Sequence, residues 1–194
     1  MQRFVARLAR NNRLIGNRSI RILEGDNVEH QRILEAVVGA ERARKVFDNR
    51  VGGFHVSELF GDEVVHYIVL PTKTLGGPTF KLYHNVAHEF GHALMEMHNL
   101  SMDTLRADHA AWAKPWIEKI AQAREALKKA QLDGASDVEL NRAATALNQV
   151  KADAFNSIAR TSEHHVSHEA MEGMSDNYPV AFKEWYAENT AAWF

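Results

Sequence analysis

The chain has 194 residues, 45% hydrophobic and 25% charged, with a formal net charge of −2 and no cysteine. That length and composition fit one core-forming domain over residues 1–194, and the lack of cysteine excludes disulfides and thiolate metal sites. No apolar run approaches the roughly 20 residues that cross a membrane, the start lacks the apolar core of a secretory signal, and the net charge gives no bulk preference for nucleic acid or membrane, so the expectation is a soluble protein.

Residues 1–24 form a basic N-terminal segment, with Arg3, Arg7, Arg10, Arg13, Arg18 and Arg21 and no acidic residue before Glu24. Such a stretch can touch phosphates or an anionic surface, resembles an organellar transit peptide, or is a solvated turn leading into a short strand at Ser19–Leu23. Asp26 to Asp48 reads as one helix burying Val28, Ile33, Leu34, Val37, Val38 and Val46. Gly52-Gly53 ends it and opens a β section, whose clearest strand is Val64 to Leu70, β-branched and apolar on both faces except at His66. Thr74 to Pro78 reads as a flexible turn, with Thr79 as the N-cap of the next helix.

That helix carries the chemistry. In Tyr83 to His98, YHNVAHEFGHALMEMH, the residues His88, Glu89 and His92 form H-E-x-x-H. Residues four apart share a helix face about 6 Å up the axis, so both imidazoles can converge on one zinc ion. Glu89, turned ~100° from His88, can reach a water in the open position of such a site rather than the metal, and act on it as a general base. Chance produces about 0.05 such matches in a chain this rich in His. Helical spacing also gives the segment an apolar stripe of Phe80, Tyr83, Ala87, Phe90, Leu94 and Met97, roughly opposite the two His.

A third ligand is needed. His84 lies ~12 Å along the axis from His92, too far to share the ion, and reads as a cleft residue. His98 sits where related motifs place a third His, but Met95 replaces their helix-breaking Gly, and His98 then points ~100° away. His164, His165 and His168 form a polar, His-rich stretch that can ligate instead.

Ser101 to Arg160 turns to Ala, Lys, Glu and Gln. Trp112, Trp116, Ile120, Leu127 and Ala130 repeat at helical spacing, as do Leu140, Ala144, Leu147, Val150, Ala154 and Ile158. Asp133 to Ser136 breaks the pattern, and Ser136 with Glu139 makes a capping box. A long helical hairpin over 101–160 follows, serving as lid, selecting arm, docking surface or buttress. A closing helix over 178–194, with Pro179 in its first turn, places Glu184 and Glu188 four apart. The helical pattern still runs at Phe194, which is compatible with a segment of a longer chain.

H-E-x-x-H together with Glu184-Trp-Tyr-Ala-Glu188, an E-x-x-A-[DE] sequence, resembles the zincin metallopeptidases of the gluzincin type. These include the catalytic domain of anthrax lethal factor and the zincin domains of phage and plasmid polyvalent proteins. The resemblance covers about 30 residues in two blocks. It implies an α+β zincin-like fold with the hairpin inserted, and a small sheet that binds substrate as an added strand. It also implies a zinc endopeptidase acting on a protein or peptide, in a cytoplasmic or phage-associated setting. His88, His92 and Glu184 would hold Zn2+, Glu89 would be the base, and Glu188 would accept a ligand imidazole N–H. Tyr178 would donate to the oxyanion, although it precedes Glu184 by six residues where lethal-factor-like sites have seven. The other reading is a non-catalytic, zinc-containing module that binds DNA or a protein partner.

Overall fold

The computed structural model describes residues 18–47, 53–77, 79–97, 102–158 and 166–192. It is mixed α and β, mostly helical with one three-stranded sheet, and divides into two compact units at residues 99 and 100.

The first unit is built around β3 (Glu63–Leu70), the central strand, with β1 (Arg18–Glu24) parallel on one side and β2 (Phe54–Phe60) antiparallel on the other. Gly61, at φ 64°, makes the β2–β3 turn, a conformation that favours glycine. The alternation of β3 divides the sheet's two faces. Val65, Tyr67 and Val69 join Leu23, Leu34, Ala43 and Val46 in one core. Ile68 and Leu70 join Val86 and Phe90 in the other. A strand covered on both faces reads as continuously apolar, which is why this one stands out in the sequence.

The first face is covered by two helices where one is expected. Helices α1 (Val28–Val38) and α2 (Ala40–Phe47) are separated by Gly39, whose φ of 83° interrupts the helical path. Asn27 caps α1 by accepting from the amides of Glu29 and His30. Val28, expected inside, is exposed at the first turn. Thr72–Leu75 closes a single helical turn, α3, which takes in the first two residues of the expected turn, while Gly76 and Gly77 follow as turn and bend. The second face is covered by α4 (Thr79–Met97), whose first residue is Thr79. Ala87, Phe90 and Met97 of the expected stripe are buried, and so are Val86 and Ala93, while Tyr83 is exposed. Phe80's side chain lies outside what the structure describes.

The second unit contains the expected hairpin, α5 (Asp103–Leu132) and α6 (Asp137–Asn156). Its turn uses Gly134 at φ 67°, and Ser136 and Glu139 form the capping box in both directions. Ala113, Ile120, Leu147, Ala154 and Val180 make the inter-helix core. Beyond α6, Asn156 bonds both the N–H and the carbonyl of Val166. A 3-10 turn, Glu169–Met171, buries Met171 against Ala152, Phe155 and Ile158. The buried Lys151 ammonium reaches the Met174 carbonyl at 2.6 Å and Asp176 at 3.7 Å. The closing helix α7 is Phe182–Ala191. It starts later than expected, because residues 176–180 are turns and Pro179 lies among them.

Among the described residues, no helix is long and apolar enough to cross a membrane. Most of the basic N-terminal segment lies outside the described residues.

Candidate metal centre

Helix α4 places His84, His88, His92 and Glu96 at successive intervals of four, which lines them along one side of the helix. The Nε2 atoms of His88 and His92 lie 3.1 Å apart, with the ring planes at 87°. Ligands at 2.0–2.1 Å from a tetrahedral zinc are separated by about 3.3–3.4 Å. The pair is therefore nearly at the spacing that two corners of a zinc site require. His84 stacks with His88 at 6.4 Å between ring centroids, beside the pair. His98 lies outside the described residues.

Glu89 is 7% exposed. Its carboxylate is covered by the backbone just before β2. A Cβ added to Gly53 would meet Glu89 Oε1 at 2.8 Å and Cγ at 2.9 Å, closer than real Cβ contacts, so only glycine permits this approach without a shift. In the sequence Gly52-Gly53 signals a helix end and the opening of a β section, and nothing there signals this contact.

The sequence reading also missed a group on the sheet. His66 of β3 pairs with Ser57 of β2, so His55, two residues before Ser57, shares their face. His55 Nε2 lies 3.1 Å from His66 Nδ1, and Glu96 Oε2 lies 3.8 Å from His66 Nδ1. Ser57 Oγ donates to Glu96 Oε2 at 2.8 Å. One potential ligand atom from each of His55, His66 and Glu96 lies within 4.8 Å of the others, so these residues could hold a metal ion. Burial pushes the His55 imidazole down from 6.5 to about 4; His66 and His92 add to the shift and Glu96 opposes it. His55 is therefore neutral near pH 7, the form that ligates metals. The only sequence signal was His66 interrupting an apolar strand.

In the second unit, Glu184 occupies the first turn of α7 and Glu188 follows one turn later. They are 4% and 2% exposed, and Ala187 and Ala191 on the same face are buried as well. Ionised carboxylates are buried only when paired, hydrogen-bonded or bound to a metal; the Lys183 ammonium stands 3.7 Å from Glu184 Oε1. The start of α7 is clamped to α5. His109 Nε2–H donates to the Val180 carbonyl at 2.8 Å, and its ring meets Phe182 and Trp185 at 5.4 and 5.6 Å. The Arg106 guanidinium lies over Phe182 at 4.6 Å. The hairpin thus buttresses the helix that bears the two glutamates.

Tyr178 stacks on Phe155, 6.0 Å between centroids and 8° from parallel, in a turn ahead of α7. His168 pairs with Glu169 at 3.0 Å, while His164 and His165 lie outside the described residues.

No protein-family model, curated protein or solved structure matches this chain.

Proposed function

We propose that the protein is a zinc-dependent endopeptidase of zincin type. The observation that carries this reading is the 3.1 Å separation of His88 and His92 Nε2, with the buried Glu89 directly after the first His. The donor set suits the metal, since imidazole nitrogens with a carboxylate are borderline ligands that zinc accepts. His88, His92 and Glu184 would hold it, and Glu188 would accept a ligand's ring N–H and fix that ring. Zinc bound there would polarise a peptide carbonyl and bring the pKa of its water to about 7.

The remaining steps belong to the chain. Glu89 takes a proton from the attacking water and returns it to the leaving amine. The Tyr178 hydroxyl donates to the oxyanion. The substrate lies as an extended strand along β2, which among the described residues pairs only with β3. Gly53, at the head of β2, keeps that path next to Glu89.

The test is zinc per chain after dialysis against a weak chelator, together with cleavage of an unfolded protein. Glu184→Ala should lose one equivalent relative to wild type and lose cleavage. Equal zinc in both would move the third ligand to the His164–His168 stretch. No zinc in the wild type would favour a binding module.

A further inference from the structure

The first unit carries a second set of ligands that the proposed peptidase site does not use. His55, His66 and Glu96 come from β2, β3 and the last turn of α4, and converge from both sides of the contact between helix and sheet. We propose that they form a second binding site for a divalent first-row transition ion of the zinc class.

Geometry makes the argument. The 3.1 Å between His55 Nε2 and His66 Nδ1 and the 3.8 Å from His66 Nδ1 to Glu96 Oε2 bracket the ~3.3–3.4 Å edge of a tetrahedral zinc shell. The positions are also held. His66 is 1% exposed in the central strand, and Ser57 donates to the Glu96 carboxylate, the kind of outer partner that orients a metal ligand. Two nitrogens and one oxygen suit zinc, cobalt or iron(II) rather than calcium or magnesium, which prefer all-oxygen shells. A metal here would tie the β2–β3 hairpin to α4, so its binding would appear as added stability. The competing account is a bare hydrogen bond between the two imidazoles, which needs no ion. The rings of His55 and His92 stack at 6.4 Å, so this site would neighbour the first one while sharing none of its ligands.

The experiment uses the full chain with His88→Ala and His92→Ala, stripped of metal and titrated with Zn2+ or Co2+ alone. One equivalent should bind, raise the unfolding midpoint and, with Co2+, give the visible absorption of a nitrogen- and oxygen-ligated ion. Adding Glu96→Ala, at a partly exposed position, should weaken binding at least about tenfold. Adding His66→Gln instead should abolish it. No binding by the double variant, or binding indifferent to Glu96→Ala, would overturn the proposal. If the double variant does not fold, wild type should bind two cobalt equivalents and Glu96→Ala should bind one of them at least about tenfold more weakly; one equivalent in wild type, or equal affinities in both, overturns it. The outcome is separable from the peptidase reading, which is tested by cleavage and by the zinc content of Glu184→Ala.

Discussion

Gly53 lies against Glu89 so closely that a β-carbon on it would stand 2.8 Å from the Oε1 atom. The backbone entering β2 therefore limits where that carboxylate can sit. Gly53→Ala should displace Glu89 and lower kcat by roughly tenfold to a hundredfold, since small misplacements of catalytic groups have effects of that order. Zinc content should stay at the wild-type level, because neither His88 nor His92 is touched. Unchanged kcat would mean that the contact does not position Glu89 for the proposed role.

Glu89→Gln keeps the shape of the side chain and removes its basicity. It should retain wild-type zinc and lose cleavage by about 10²-fold or more, the usual contribution of general acid–base catalysis. Turnover within a few fold of wild type would sink the mechanism.

In chelator, the metal-free protein should lose stability as pH falls from about 6.5 to about 4. The His55 pKa drops from 6.5 to about 4 on folding because burial disfavours the cation, with His66 and His92 also lowering it and Glu96 raising it. Between those values the unfolded chain binds more protons at this site, so stability rises with pH there, and it levels off outside the window. Chemical denaturation across that range should show a shallower slope for His55→Gln than for wild type. Identical slopes would mean that His55 is not the titrating group.

Lys151 is buried and donates at 2.6 Å to the Met174 carbonyl, beside Asp176. Lys151→Ala should cost about 2 kcal/mol, the scale of a hydrogen bond to a charged group. In urea this should appear as a lower midpoint with an unchanged m-value. An unaltered midpoint would show that the ammonium does not anchor the turns leading to α7.

What was legible in the sequence was local. The H-E-x-x-H pair needs only a helix, because four residues set the two imidazoles on one side of it, and His88 and His92 stand 3.1 Å apart accordingly. The α5–α6 hairpin followed from spacing and from a cap whose partners, Ser136 and Glu139, are three residues apart. The errors sit at boundaries. Gly39 was read through as helix, yet its positive φ divides α1 from α2, and α7 begins after Pro179 instead of containing it.

The sequence by itself determined that two imidazoles and a glutamate share one helix, that Val64 to Leu70 is a strand apolar on both faces and that a long hairpin precedes Glu184, since each depends on neighbours a few residues away. Tertiary structure alone decided that Gly53 covers Glu89 and that His55, Ser57 and His66 meet Glu96. Those meetings depend on strand register and on how α4 lies across the sheet. A one-residue slip of β2 would turn His55 and Ser57 to the opposite face; the burial of Phe54 and Val56 against the other core holds the register, and only the packing of α4 on the sheet brings Glu96 to that face.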